Sequence, residues 1–191
     1  MRITSTFLAI AVMFFLTNLC HAQELTKQEK GYFNITELGL NYVNNSLQIN
    51  NASGGYNSYI FGAYALSIRT VNGVFISDKV SLGIGVGLEN YTLNESNSND
   101  NLFQLFGDSR YYFKNRASTF FGYGQLGPSI AITDRFERGV MYNLGIGYKF
   151  KVSDRTAMNG SVGFIDQYIK TNSNLRQNRY YGIAFKVGVL F

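Results

Sequence analysis

Seven charged residues of the 191-residue chain lie at alternate positions of segments that are otherwise apolar or rich in glycine. They are Glu37, Arg69, Glu89, Asp108, Arg110, Lys149 and Lys186. Two adjacent carboxylates can act as a general acid and a general base, so Glu37, Glu89, Asp108 and Asp166 are candidates for such a pair. Nothing in the linear sequence places any two of them together. Because three carboxylates and four cations make up the set, ion pairing within one narrow interior is the simpler expectation.

Nucleophilic and metal chemistry would depend on residues found only near the start of the chain. Cys20 and His21 are the only cysteine and the only histidine. They lie within residues 1–22, which resemble a secretory signal with Arg2 as the basic start, a short apolar core and a cleavage site after Ala22. Cleavage would remove both residues, and with them a His base, a Cys nucleophile, a disulfide and a His/Cys zinc site. We therefore predict no catalytic, metal-binding or cofactor-binding residues in the mature chain.

The start of the chain allows two other interpretations. Cys20 would suit a lipoprotein, but Leu19 stands where a small residue is wanted; a membrane anchor would need a longer apolar run. We expect a signal peptide at 1–22, a polar periplasmic lead-in at 23–30 and a single domain at 31–191. Loss of Arg2 lowers the formal net charge from +5 to +4. The basic residues are scattered singly, which favours anionic lipid head groups over nucleic acid as neighbours.

The charged residues must be positioned by β-strands, and the final stretch, YYGIAFKVGVLF at Tyr180 to Phe191, shows the strand pattern most clearly. One alternate set is apolar or aromatic throughout, and the other holds glycine, alanine and Lys186. The apolar set comprises Tyr181, Ile183, Phe185, Val187, Val189 and Phe191. A closing strand with so apolar a face needs a covering layer, and in a membrane barrel lipid provides it.

The same alternation recurs along the chain and predicts an all-β fold, an eight-stranded antiparallel up-and-down transmembrane β-barrel. Each segment exceeds the roughly 9–11 tilted residues that cross a hydrocarbon core. The predicted strands are 31–43, 57–70, 79–93, 102–113, 118–132, 139–152, 156–170 and 180–191. The inward and outward faces of the fifth strand are ambiguous, and its Pro128 is expected at a rim or a bulge. Tyr59, Ser67 and Lys151 are also expected to face inward.

The connections predict how the barrel is oriented. An even number of strands places both termini in the periplasm, with short turns at 114–117 and 153–155 on that side. A third periplasmic turn is expected within 71–78, where Asn72-Gly73 is a strong hairpin signal. The polar connections are expected on the cell surface, where they could bind a partner. They span 44–56, 94–100, 133–138 and 171–179.

The sequence resembles the small outer-membrane β-barrel proteins of Gram-negative bacteria, the OmpA-like group. The resemblance rests on the signal ending CHA, on GYFNITELGL from Gly31, on SLGIGVGLENY from Ser81 and on the last strand ending in Phe191. It implies localisation in the cell outer membrane, contact with outer-membrane lipid and recognition by the barrel assembly machinery. Tyr181, Phe185, Val189 and Phe191 are the residues expected to form the assembly signal. No peptidoglycan-binding domain is expected, because the sequence ends with the barrel.

The resemblance leaves several functions open. Outer-membrane lipid A deacylases, palmitoyltransferases and omptin proteases share this architecture, but their families use a catalytic His that the mature chain would lack. We therefore expect a non-enzymatic barrel with a structural role or a role in surface interactions. The first alternative is a narrow channel or transporter for small polar solutes. The second is a soluble, exported, lipocalin-like binder, whose apolar face would have to point inward.

Overall fold

In the computed structural model, residues 31–50, 56–93, 99–132, 137–153, 156–170 and 176–191 are described. They form eight strands: β1 (Gly31–Asn50), β2 (Tyr56–Ser77), β3 (Val80–Leu93), β4 (Asn99–Tyr112), β5 (Thr119–Ala131), β6 (Arg138–Lys151), β7 (Ala157–Lys170) and β8 (Arg176–Leu190). Each strand pairs antiparallel with the next, and β8 pairs with β1 to close the barrel. The predicted fold class is confirmed. The predicted signal peptide and lead-in, residues 1–30, lie outside the described residues.

The pairing registers fix the tilt of the strands. Asn34 on β1 lies opposite Asn72 on β2. Following the paired residues from strand to strand leads round to Tyr181 on β8 and then back to β1 at Asn44, ten residues beyond the starting point. A closed sheet with such a stagger has strands inclined at roughly 35–45° to its axis, and eight strands enclose only enough space for side chains.

The two faces of the sheet differ sharply in chemistry. On β6, Leu144 and Ile146 are 58% and 59% exposed on the outer surface, whereas Asn143 and Lys149 are buried inside. The same alternation settles the ambiguous strand, since on β5 Phe121, Tyr123, Gln125 and Ser129 point inward and Phe120, Leu126 and Ile130 point outward. The lipocalin-like alternative requires the apolar face to point inward, whereas here the continuous apolar face points outward and the interior also holds charged and amide side chains.

The predicted hairpin at Asn72-Gly73 is wrong, because both residues lie well inside β2. The chain turns instead at Asp78 and Lys79, next to a register shift between Phe75 and Ser77. Gly73 faces inward, where an added Cβ would lie 2.5 Å from the ring of Phe33. The glycine is therefore needed to make room for an aromatic ring in a narrow interior, and not for the backbone conformation of a turn.

The predicted surface connections were too long. Residues 44–50 of β1 pair with residues 62–56 of β2, so most of the predicted loop 44–56 is strand. β4, β6 and β8 likewise begin at Asn99, Arg138 and Arg176, inside segments predicted as loops. At the predicted cell-surface end of the barrel, these strands extend beyond the belt of exposed apolar side chains. Both faces there are polar or mixed, so the alternation that identifies a strand disappears.

Three further residues differ in detail from their predicted places. Pro128 is neither at a register shift nor at the very end of its strand: the β4–β5 ladder is interrupted at Pro128 and Gly127 and resumes in the same register. Proline lacks the N–H that a continuous ladder needs. Tyr59 and Lys151 are exposed rather than enclosed, because Tyr59 lies in the outer extension of β2 and Lys151 ends β6. Ser67 is buried inside, as predicted.

Candidate functional site in the barrel interior

The charged residues singled out in the sequence all lie inside the barrel. Each is no more than 4% exposed. The seven are Glu37, Arg69, Glu89, Asp108, Arg110, Lys149 and Lys186. They come from six different strands, and the closed sheet brings six of them into two connected centres, one around Glu89 and the other around Arg110.

The first centre is built on the Glu89 carboxylate of β3. Arg69 on β2 donates to it through Nη2 and forms a fully buried salt bridge. Asn41 donates at 3.0 Å, and the Tyr91 hydroxyl and Gln104 Nε2 each donate at 2.8 Å. Four donors on one carboxylate leave little of its hydrogen-bonding capacity for a substrate.

The second centre is built on the Arg110 guanidinium of β4. Its Nε donates to Asp108 at 2.9 Å, and its Nη2 reaches across the interior to Glu37 on β1 at 3.0 Å. Asn159 also donates to Glu37, at 2.9 Å. Lys186 Nζ lies 3.9 Å from the other Glu37 oxygen. Two carboxylates and two cations thus neutralise one another away from water.

Gln125 on β5 joins the two centres. Its side-chain oxygen accepts hydrogen bonds from Arg69 at 2.7 Å and from Lys186 at 3.1 Å, and its nitrogen donates to Asp108 at 2.7 Å. Gln125 is not among the residues predicted to face inward, because the alternation along its strand is ambiguous in the sequence. A glutamine halfway along a membrane-spanning strand is the sequence feature that could have identified it as an interior residue.

Aromatic rings support the cations. Arg69 lies over Phe106 at 5.5 Å and Arg110 over Phe121 at 5.4 Å, measured to the ring centroid. Lys186 lies 3.8 Å from the centroid of Tyr123. Such contacts stabilise a desolvated cation without adding a further charge. Lys149, the seventh residue, lies over the Tyr112 ring, with its Nζ 4.9 Å from the ring centroid.

Apolar layers lie on both sides of the charged centres. Towards the outer end, the outer apolar layer is centred on Tyr91 and Tyr180, whose rings are 4.3 Å apart. Towards the end that is predicted to face the periplasm, five rings make successive contacts at 5.2–6.3 Å. This inner aromatic chain consists of Phe33, Phe75, Tyr112, Phe121 and Tyr123. The charges therefore lie in the middle of a filled interior.

The candidate acid–base residues are not arranged as an open pair. Glu37 and Asp108 do not face an open space together, because Arg110 lies between them and binds both. Asp166 lies elsewhere, on the outer face of β7, where Tyr142 and Arg179 donate to it. Within the described ranges, no group of three or more His, Cys, Asp or Glu side chains is placed to hold a metal ion. In the same ranges, no helix has the length and hydropathy of a membrane span.

Comparison with solved structures identifies similar barrels. The outer membrane protein OprG of Pseudomonas aeruginosa covers 85% of the chain and 96% of its own length, with a TM-score of 0.51 and 12% identity. The outer membrane protease OmpT of Escherichia coli has the same TM-score at 6% identity, covering 90% of this chain and 99% of its own. Neisserial surface protein A is 16% identical with a TM-score of 0.49, covering 83% and 99%.

A scan against protein-family models and a search of curated proteins give no match. Because the sequence identities to these structures are only 6–16%, the structural similarity shows a common fold and nothing more specific. The OmpA-like assignment is therefore not established beyond the broader architecture of Gram-negative outer-membrane barrels. That architecture, joined to an outer surface of exposed Leu, Ile, Val, Phe and Tyr side chains, is the one that lipid covers. The chain is an eight-stranded β-barrel of the outer-membrane type, and the predicted localisation in the outer membrane is supported.

Proposed function

We propose that the protein is a non-enzymatic outer-membrane barrel with a closed interior, acting as a structural element or by presenting its outer rim to a partner. The observation that carries this proposal is the mutual pairing of the interior charges. Glu37, Glu89 and Asp108 are each bound by an arginine and almost inaccessible to water. A solute path would need an open passage along the axis, and in this barrel side chains fill the interior.

The likeness to OmpT does not favour a protease. It rests on 6% identity, and a fold hosts many functions that depend on particular residues. Within the described part of the chain, the interior carboxylates are occupied by cations and amides. General acid–base catalysis needs a carboxyl group within reach of a substrate proton, and these carboxyl groups lie against side chains of the barrel itself, where they are buried.

The outer rim supports a role in surface contacts. The β1–β2 ribbon continues beyond the last β2–β3 pair, Ala63 with Leu93. It carries exposed apolar side chains, among them Ile60 and Tyr59, and the Tyr59 ring stacks with Phe61 at 6.4 Å. Exposed apolar side chains above the membrane band are typical of surfaces that bind a partner.

Single-channel recording tests the closed interior against the channel alternative. We expect the folded protein to give no steady conductance in a planar bilayer, and we expect Glu37→Gln to give none either. The outer apolar layer and the inner aromatic chain would still obstruct the axis in that variant. A reproducible ohmic conductance in the unmodified protein, altered by Glu37→Gln or Arg110→Ala, would instead establish the channel.

We also propose that the side chain of Phe191 serves in recognition by the assembly machinery. The Phe191 backbone exchanges two hydrogen bonds with Asn34, at 2.9 and 3.0 Å, and so helps to close the barrel. Phe191→Ala keeps these bonds, so we expect normal refolding in detergent but slower accumulation of folded protein in cells. Pulse-labelling with unboiled gels measures both. Equal accumulation of Phe191→Ala and the unmodified protein would refute the recognition role.

A further inference from the structure

Asp166 and Arg179 form an ion pair on the outer face of the barrel. Asp166 on β7 belongs to the same alternate set as Phe164, Val162 and Met158, all of which are exposed. Its side chain is nevertheless only 2% exposed, because Arg179 of β8 covers it and donates through Nε at 3.0 Å. A carboxylate at such a position is costly unless it is paired, so its presence calls for an explanation.

The pair lies where the apolar belt ends. Tyr142 and Tyr181 are directly opposite Asp166 on the neighbouring strands. One step towards the periplasm, the outward residues on the three strands are Leu144, Phe164 and Ile183, all exposed. One step the other way are Val140, Tyr168 and Arg179, so the outward face becomes polar or interfacial on β7 and β8 and stays apolar on β6. The site is therefore level with the outer boundary of the membrane, where lipid head groups begin.

The surface around the pair is concave. A pocket of about 440 Å³ opens there, and its lining mixes charged, amide and aromatic side chains. We call it the outer-rim pocket. It is formed mainly by Tyr142, Asp166, Tyr168, Gln177, Arg179 and Tyr181. Interfacial tyrosines alone are ordinary in such barrels, but a hollow containing a fixed carboxylate–guanidinium pair is not explained by them.

The polar groups of the pocket are held in place. The Tyr142 hydroxyl donates to Asp166 at 2.7 Å, and Arg179 lies over the Tyr181 ring at 5.5 Å. The Arg179 side chain is 53% exposed despite its bonds to Asp166, so the guanidinium still presents surface to the pocket. An arginine fixed on one side by a carboxylate and an aromatic ring is preorganised to donate on the other side.

We propose that the outer-rim pocket binds a saccharide group of an outer-leaflet glycolipid. The ion pair is neutral as a whole, which does not favour a free anion. Sugar hydroxyls both donate and accept, and so match a guanidinium, a glutamine amide and tyrosine hydroxyls. The tyrosine rings suit the C–H faces of a sugar ring. Since the apolar belt begins directly below the pocket, the acyl chains of the same lipid would lie against Phe164 and Ile183.

The absence of tryptophan from the chain offers a direct assay. Phe164→Trp would introduce a single tryptophan below the pocket; it keeps an aromatic side chain against the acyl chains and replaces none of the residues that line the pocket. This protein, refolded into phosphatidylcholine vesicles, is titrated with purified lipopolysaccharide while tryptophan emission is followed. We expect a saturable change, and we expect the oligosaccharide released from the same lipopolysaccharide to compete more weakly than the whole lipid. Absence of a saturable change, or failure of the oligosaccharide to compete, would overturn the proposal.

Variants on the same Phe164→Trp background locate the binding. Arg179→Ala should weaken it about tenfold or more, since hydrogen bonds to a charged group contribute at that level. Tyr168→Ala should also weaken it, and it leaves the ion pair intact should Arg179→Ala fail to fold. Lys114→Ala, an exposed cation in the turn at the opposite end, should have no effect. Equal affinity of all three variants for lipopolysaccharide would overturn the proposal. If the free oligosaccharide bound as tightly as the whole lipopolysaccharide, the ligand would be a saccharide and not a glycolipid.

Discussion

Replacement of Glu89 by alanine is expected to destabilise the barrel by about 3–5 kcal/mol, the cost of breaking a buried ion pair by removing one partner. Arg69 would remain buried with its charge uncompensated. Asn41, Tyr91 and Gln104 would each lose the acceptor they now share. The free energy of unfolding can be measured by urea titration of protein refolded in phospholipid vesicles, with the folded fraction read from unboiled gels.

A double variant separates the cost of an unpaired charge from the cost of altered packing. Arg69→Met together with Glu89→Leu removes both charges and keeps the interior filled, so its stability should lie within about 1–2 kcal/mol of the unmodified protein. Tyr91→Phe removes one donor and should cost about 1 kcal/mol. If the double variant were as unstable as Glu89→Ala, the loss of stability would come from loss of the ion pair itself and not from the unpaired Arg69 charge.

The strand faces could be predicted because lipid and interior impose opposite chemistry on successive residues. The contrast is clearest on β3, β6 and β8, where most of the outward side chains are large and apolar and most of the inward residues are glycine or polar. It fails above the membrane band. Asn44 and Asn45 on β1 are both asparagine, one outward and one inward, so no period of two marks the strand that continues there.

The partners within the interior could not be predicted in the same way. Alternation shows that a side chain points inward, but not at what height along the axis or from which side of the barrel. Arg110 binds Glu37, 73 positions away in the sequence, across the interior. Arg69 lies directly opposite Glu37 in the β1–β2 register and binds Glu89 instead. These choices depend on the stagger of the closed sheet, which only the registers reveal.

The structural role of a glycine is also ambiguous in the sequence, because it can mark either a turn or a close contact. Asn72-Gly73 reads as a turn because glycine tolerates unusual backbone conformations, yet the structure uses Gly73 for lack of a side chain. Many interior glycines have this role: added Cβ atoms at Gly85 and Gly147 would meet the rings of Phe106 and Phe121. A narrow barrel that buries large aromatic side chains needs small residues facing them.

This role of glycine can be tested by comparing an inward and an outward glycine on two neighbouring strands. Gly147→Val on β6 should destabilise the barrel by roughly 1–3 kcal/mol or more, the cost of overpacking a filled interior. Its Cβ would lie 2.5 Å from the Phe121 ring and 2.6 Å from the Gly160 carbonyl oxygen. Since Phe121 belongs to the inner aromatic chain and supports Arg110, displacement of its ring would also disturb the second charged centre.

Gly160→Val on β7 is the control, because Gly160 faces lipid and an added Cβ there meets nothing within 4 Å. Valine fits an exposed strand position better than glycine, so this variant should be neutral or slightly stabilising. Both free energies of unfolding come from the same urea titration. Equal losses at the two positions would mean that glycine serves the strand backbone itself, whereas a loss confined to Gly147→Val would show that the interior is filled to its limit.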